Sequence, residues 1–151
     1  MNELKPFDDK LAGLLASLSA TGRRKLAGTV AKALRGSQQQ HIKQQQAPDG
    51  TTYAPRKAQP IKGKKGRVKR QMFQKLRTAK YLKAKGTAEA ASVEFIGRVQ
   101  RMARVHHYGL RDRPSAKSRE VRYEVRPLLG LSMEEIDIIR ELIGEHLTQY
   151  E

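Results

Sequence analysis

The 151-residue chain contains no cysteine and no tryptophan, and aromatic residues make up only 5% of it. The absence of cysteine excludes disulfides, zinc fingers, iron–sulfur sites and thiol catalysis. No apolar run reaches about 18 residues, so we expect no membrane-spanning segment. The first residues lack a basic stretch followed by an apolar one, so we expect no secretory signal. A hydrophobic content of 38% is low for a chain of this length, which indicates extensive loops or a core completed by a partner subunit.

Acidic residues are also absent from residues 50–88, a stretch that carries 13 basic side chains. It supplies most of the net charge of +16, whereas residues 132–151 carry one basic and six acidic side chains. The other two segments, 1–49 and 89–131, each have a net charge of +4. This segregation predicts an anionic partner, which is either a nucleic acid or an acidic protein surface.

Apolar residues at helical spacing predict a pair of helices near the N-terminus. Residues 8–20 place four leucines at i, i+3, i+4 and i+7, which forms one stripe along a helix. Thr21 is expected to cap a second helix over about 22–45, where apolar residues recur every four positions. We expect the glutamine tracts at 38–40 and 44–46 to lie on a solvent-exposed face of this helix.

Alternating side chains predict a small antiparallel sheet in the second half of the chain. We expect three strands, at Ala79–Lys85, Ala91–Ile96 and Glu120–Arg126. A short helix is expected to end at Gly109, and residues 110–119 are expected to form a polar loop.

A C-terminal helix is indicated by a capping box that starts at Ser132 and by Leu131 and Ile136 at the spacing of a hydrophobic staple. The acidic residues of this helix follow the pattern of an exposed face rather than of an acid–base pair. They are Glu134, Glu135, Asp137 and Glu141.

Together these patterns predict an α+β fold with an N-terminal helical pair, a small antiparallel β-sheet of about three strands, a C-terminal helix and a long basic loop. We expect a single domain over residues 1–151. Within it, the helical pair would occupy 8–46, a basic mobile loop 47–71, and the small sheet with its helices 72–151.

No motif in the sequence supports catalysis, a metal or a cofactor. The four histidines include the adjacent His106 and His107, which point to different faces and do not match a metal-ligand spacing. The segment Gly63–Arg67 lacks the spacing and the hydroxyl residue of a phosphate-binding loop. We therefore predict a protein that is not an enzyme and that uses no cofactor.

Basic side chains between residues 56 and 85 are the candidates for contacting a partner or DNA. Aromatic residues are sparse within this segment, which argues against base stacking along a single strand. The alternative function is non-specific nucleic-acid binding through this segment. The candidate contact residues are Arg56, Lys57, Lys62, Lys64, Lys65, Arg67, Lys69, Arg70, Lys75 and Arg77.

Four segments in order, with the helical pair before them, resemble the phage virion morphogenesis family, the tail completion proteins of contractile-tailed temperate phages. These segments are Gln46–Lys57, Met72–Arg77, Gly97–Gly109 and Arg126–Ser132. The resemblance therefore covers nearly the whole chain.

The resemblance implies a non-enzymatic structural protein that completes or terminates the tail at its head-proximal end, so that the tail can join a DNA-filled head. Related neck and terminator proteins form rings, often of six subunits, so a ring of this chain is implied. The implied partners are further copies of the chain, the tail tube and sheath, the head–tail connector and, without sequence specificity, the packaged DNA. The implied location is the tail or neck of the virion, after assembly in the cytoplasm of the bacterial host.

The resemblance also implies an architectural role for residues of the four segments. Gly109 would allow a sharp exit from its helix, and Tyr108 would pack on the sheet. We further expect the basic segment to become ordered on assembly. The architectural residues are Pro48, Asp49, Gly50, Tyr53, Phe73, Arg104, His106, Tyr108, Gly109, Arg126, Pro127 and Gly130.

Overall fold

A computed structural model describes residues 3–56 and 71–148 of the chain. It confirms the α+β class, with two helices at the N-terminus and one at the C-terminus. The elements are α1 (Lys5–Ser17), α2 (Ala20–Lys43), β1 (Leu82–Gly86), β2 (Ala91–Phe95), α3 (Val99–Tyr108), β3 (Arg111–Asp112), β4 (Val121–Arg122) and α4 (Met133–Thr148).

The first two helices begin earlier than the leucine spacing predicts. Pro6 lies in the first turn of α1, where its missing N–H costs nothing and its fixed φ favours a helix. The cap of α2 is Ser19 rather than Thr21, because the Ser19 hydroxyl accepts a hydrogen bond from the Gly22 amide at 3.1 Å. Thr21 therefore lies inside the helix.

The prediction of one three-stranded sheet was wrong. Strands β1 and β2 form one two-stranded ribbon, and β3 and β4 form another. In the second ribbon Arg111 lies opposite Arg122 and Asp112 lies opposite Val121 in an antiparallel register. Residues 110–119, expected to be only a loop, therefore supply a strand.

The predicted third strand, Glu120–Arg126, is shortened because its second half bonds to helix α3 instead of a neighbouring strand. The Tyr123 amide still donates to the Leu110 carbonyl at 3.1 Å. The Arg126 amide then donates to the carbonyl of His106 at 2.9 Å, in the last turn of α3. The strand pairing therefore ends after β4.

The chain divides into two compact units, and the single-domain boundaries stay a prediction. The first unit comprises Met1–Arg35, Ala84–Glu94 and Met133–Glu151. In it α1 packs on α4, and the Arg140 guanidinium donates to both oxygens of Asp8 at 2.9 Å. These bonds hold the pKa of Asp8 below its ordinary value. A Cβ at Gly86 would collide with the α2 backbone at Ala27 and Gly28, so that close approach requires glycine.

The acidic helix α4 differs from its predicted pattern at one position. Glu134, Asp137 and Glu141 are exposed as expected. Glu135 was expected on the same face, but its side chain is fully buried (0% exposed). The proposed staple residue Leu131 is mostly exposed.

The second unit comprises Gly36–Lys83 and Phe95–Ser132. It includes the last third of α2, all of α3 and the β3–β4 ribbon. Its buried apolar side chains include Ile42, Leu76, Leu82 and Leu128. The four segments that carry the family resemblance lie in this unit.

Candidate functional site

A continuous chain of four aromatic rings joins segments that are far apart in sequence. Tyr53 lies edge-on to Phe73, with 5.7 Å between ring centroids. Phe73 packs on His106 at 5.0 Å, and His106 packs on Tyr123 at 4.8 Å. We call these four residues the aromatic chain. Each such pair stabilises the fold by roughly 0.5–1.5 kcal/mol beyond its buried area.

The aromatic chain joins the described residues on either side of positions 57–70, the part of the basic segment that lies outside the described residues. Tyr53 precedes these positions and Phe73 follows them. Phe73 has a φ of +64°, a conformation that is rare for a bulky side chain. Its ring contacts with Tyr53 and His106 offset the cost of that backbone conformation.

Beside Tyr53, the polypeptide backbone is held by the buried guanidinium group of Arg126. The Arg126 guanidinium donates to the carbonyls of Ala54 at 3.0 Å and Pro55 at 3.1 Å. The Tyr53 hydroxyl donates to the Pro127 carbonyl at 3.1 Å. These hydrogen bonds fix three consecutive residues immediately before Arg56.

Beside Phe73, the polypeptide backbone at Met72 is held by the side chain of Gln45. Its amide nitrogen donates to the Met72 carbonyl at 2.9 Å, and its amide oxygen accepts from the Met72 N–H at 3.1 Å. The side chain thus pairs with the Met72 backbone as a neighbouring strand would.

Gln45 also ends helix α2 in a conformation usually taken by glycine. Its φ is +58°. Its amide donates to the Ile42 carbonyl, and the Gln46 amide donates to the His41 carbonyl. This is the pattern of a Schellman motif. The unusual backbone angle directs the Gln45 side chain to residue 72.

A second glutamine, Gln38, pairs with the backbone at the end of the fourth segment. It is 3% exposed, donates to the Gly130 carbonyl at 2.9 Å and accepts from the Gly130 N–H at 3.0 Å. Gln39 donates to the Arg77 carbonyl at 2.7 Å. The expectation of a solvent-exposed face was therefore wrong for Gln38, whereas Gln40 and Gln44 are exposed as expected.

The Pro48–Gly50 segment forms the turn that the sequence predicts. The Gly50 amide donates to Ala47 at 2.9 Å, and the Thr51 amide donates to the Asp49 carboxylate at 2.9 Å. The second bond holds the pKa of Asp49 below its ordinary value. Pro48 lies against Gly130, so the turn sits beside the Gln38 contact.

Gly109 ends α3 with φ +65° and ψ +46°, the left-handed conformation that favours glycine. A Cβ there would lie 2.5 Å from Val125 Cγ2 and 3.0 Å from the Tyr123 carbonyl oxygen. Tyr108 was expected to pack on the sheet; its ring lies edge-on to that of His107, with 4.6 Å between centroids. Tyr108 is 60% exposed, and the exposed Arg104 guanidinium lies 6.0 Å from its ring centroid.

The adjacent histidines His106 and His107 favour the neutral form. Burial lowers the pKa of His106, and the nearby charges of Arg126 and Arg56 lower it further. Burial also lowers the pKa of His107, whose Nδ1 accepts a hydrogen bond from the Leu128 amide at 3.1 Å. That bond requires an unprotonated Nδ1.

The structure places three of the ten candidate contact residues. Arg56 and Lys75 are exposed, and Arg77 is half-buried. The other seven lie outside the described residues: Lys57, Lys62, Lys64, Lys65, Arg67, Lys69 and Arg70. The structure shows that the residues flanking positions 57–70 are held by hydrogen bonds and ring contacts, at Tyr53–Pro55 before them and at Met72–Phe73 after them.

Sequence reasoning did not assign roles to Gln38, Gln45 and Tyr123. One signal could have identified Gln38, which continues the four-residue spacing from Val30 to Ile42 and so lies on the buried face. Within residues 3–56 and 71–148 no group of three or more acidic, histidine or cysteine side chains is arranged to hold a metal. None of the helices in these ranges is long and apolar enough to cross a bilayer.

Comparison with known proteins identifies the family. The sequence profile of the phage virion morphogenesis family matches residues 2–148. The tail completion protein S of Escherichia phage P2 is 47% identical over 150 residues, which is 99% of this chain and all of that protein. No solved structure matches. A family match over almost the entire chain shows that it belongs to the phage virion morphogenesis family.

Proposed function

We propose that this protein completes the phage tail at its head-proximal end, as a ring, and thereby enables the tail to join the head. The observation that carries the proposal is the 47% identity over nearly the full length to a protein named for tail completion. A structural role also fits the site, because its polar groups bond to the backbone rather than converge on an open space. The protein would act in the virion and without catalysis.

The basic segment is the proposed contact with an anionic partner. Residues 57–70 carry seven basic and no acidic side chains. Arg126 and Gln45 hold the described residues that flank these positions, namely Ala54 and Pro55 before them and Met72 after them. We propose that the basic side chains contact the acidic rim of the tail tube or connector, or DNA in the lumen of the ring.

The proposal is tested by electron microscopy of a lysate made by phage that lack this protein. We expect full heads separate from unjoined or overlong tails, and we expect the wild-type chain supplied in trans to restore complete virions. Intact virions in the absence of the protein would refute the tail-completion role.

The role of the basic segment is tested by complementation with a variant in which Lys64, Lys65, Arg67 and Lys69 are changed to Glu. We expect tail–head joining to fail while the purified variant keeps its melting temperature. A matched control changes four exposed lysines outside the segment to Glu, at positions Lys10, Lys25, Lys32 and Lys43. Normal phage yield from the first variant, or equal loss in both, would refute a specific role for the segment.

The second candidate function is non-specific nucleic-acid binding, which the acid-free stretch 50–88 favours. Binding that depends on phosphate contacts weakens by orders of magnitude as salt approaches ~0.5 M. A protein that forms rings on its own under those conditions supports the tail role. A protein that forms large complexes only with added DNA, and loses them at that salt concentration, supports the second function.

A further inference from the structure

Helix α3 presents an exposed stripe of arginines and one tyrosine to solvent. Arg98, the N-cap of α3, and Arg101, Arg104 and Tyr108 within it are all exposed. They lie three or four residues apart, so they share one side of the helix. Arg101 bonds to Asp112 at 2.9 Å, yet its side chain remains 80% exposed. We call these four residues the basic stripe.

One exposed apolar side chain adjoins the end of the basic stripe. Val125 lies against Gly109, next to Tyr108, and is 59% exposed. Exposed Tyr and Arg beside an apolar side chain are the composition of a protein–protein contact, in which aromatic residues and Arg are enriched. The surface therefore fits a folded protein partner with an acidic helix.

Helix α4 carries a stripe of the opposite sign. Glu134, Asp137, Glu141 and Glu145 are exposed and lie at i, i+3, i+7 and i+11, along one side of the helix. We call them the acidic stripe. Asp137 lies 3.6 Å from Arg140, and the other three have no ion-pair partner within residues 3–56 and 71–148. The two stripes match in length, at roughly 15 and 16 Å from the helical rise of 1.5 Å per residue.

We propose that the basic stripe of one copy binds the acidic stripe of a second copy. Further copies of the chain provide partners for both stripes through a single type of contact. A nucleic acid would bind the basic stripe and leave the acidic stripe without a partner. The two surfaces differ, so the contact is heterologous and leaves a free stripe of each sign at the ends of every open assembly. This inference rests on the proposed ring and names the surfaces that build it.

The test reverses the charge of each stripe in the full-length protein. The base-reversed variant carries Arg98→Glu and Arg104→Glu, which leaves the Arg101–Asp112 pair intact. The acid-reversed variant carries Glu141→Lys and Glu145→Lys, which leaves the first turn of α4 unchanged. Matched controls are Lys25→Glu with Lys32→Glu, and Glu89→Lys with Glu94→Lys, all at exposed positions.

Sedimentation velocity measures the assembly of each purified protein. We expect each reversed variant to self-associate on the order of a hundredfold more weakly than the wild type, because like charges then face each other. The controls should assemble as the wild type does. An equimolar mixture of the two reversed variants should assemble again, because every contact then joins stripes of opposite sign. A single chain with all four changes should assemble for the same reason.

Three results would overturn the inference. One is wild-type assembly by either reversed variant, and another is a wild-type protein that stays monomeric at about 100 μM. The third is a mixture that stays monomeric although both variants keep the wild-type circular dichroism spectrum. Loss of duplex DNA binding in the base-reversed variant, with its self-association unchanged, would assign the basic stripe to nucleic acid instead. Intact virions in the lysate that lacks the protein would refute tail completion, whatever the sedimentation result.

Discussion

Replacement of Gln38 by alanine should destabilise the protein strongly, although the residue belongs to a tract of glutamines. Gln38 is 3% exposed and makes two hydrogen bonds to Gly130, at 2.9 Å and 3.0 Å. Alanine removes both bonds and leaves the N–H and the carbonyl of Gly130 without partners. Each lost bond costs about 1 kcal/mol, and each unpaired buried group costs ~1–3 kcal/mol. Partial access of water to these groups reduces the total, so we expect the free energy of unfolding to fall by about 2–4 kcal/mol.

The measurement is urea denaturation together with thermal melting. A loss of this size should lower the melting temperature by roughly 5–15 °C for a chain of this length. The matched control is Gln40→Ala, in the same tract but at an exposed position, where we expect a change below about 0.5 kcal/mol. Equal stability of the two variants would show that the Gln38 bonds contribute nothing and would refute the reasoning.

Three further predictions concern the same unit. Gly109→Ala should lower the melting temperature, because the left-handed backbone costs an L-residue about 1–2 kcal/mol and the added Cβ meets Val125; an unchanged melting curve would contradict this. Burial lowers the pKa values of His106 and His107 from 6.5, so the unfolded chain binds more protons and the free energy of unfolding should fall as the pH drops below 6.5. Urea midpoints that do not change between about pH 7.5 and pH 5.5 would count against it. Tyr53→Phe should cost about 1 kcal/mol at neutral pH because the Pro127 bond is lost. Burial raises the pKa of Tyr53 to about 12 from 10.0, so the stability advantage of the wild type over this variant should shrink above pH 10. An advantage that stays constant across that range would refute the role of Tyr53 burial.

Local signals in the sequence were sufficient for the helices and for the turn. Leucine spacing predicted α1 because the apolar period of a helix is a property of neighbouring residues. Pro48–Gly50 predicted a turn, and Gly109 predicted the end of α3, because these residues restrict or extend the φ angles of their own positions. The same locality explains the error at Thr21, since Ser19 is an equally good cap two residues earlier.

Strand pairing could not be predicted in the same way. Alternation at residues 120–126 is equally compatible with a central strand and with a short ribbon. The outcome depends on whether the Arg126 amide donates its hydrogen bond to a neighbouring strand or to the last turn of α3. It donates to the His106 carbonyl. The positions of the polar residues in the interior could not be predicted either. The sequence indicates that Gln38 and Gln45 are exposed, because their partners Gly130 and Met72 are distant in sequence and contact them only in the folded protein.

The sequence by itself determined the positions of the helices, the α+β class and the segregation of charge, because these follow from the order of residues along the chain. Only the tertiary structure decided which distant groups meet, such as Gln38 with Gly130, 92 residues apart, and Tyr53 with Phe73. The reason is energetic, since propensities differ by less than about 1 kcal/mol per residue. Burial and the pairing of buried backbone groups each contribute more, and they depend on partners that only folding supplies.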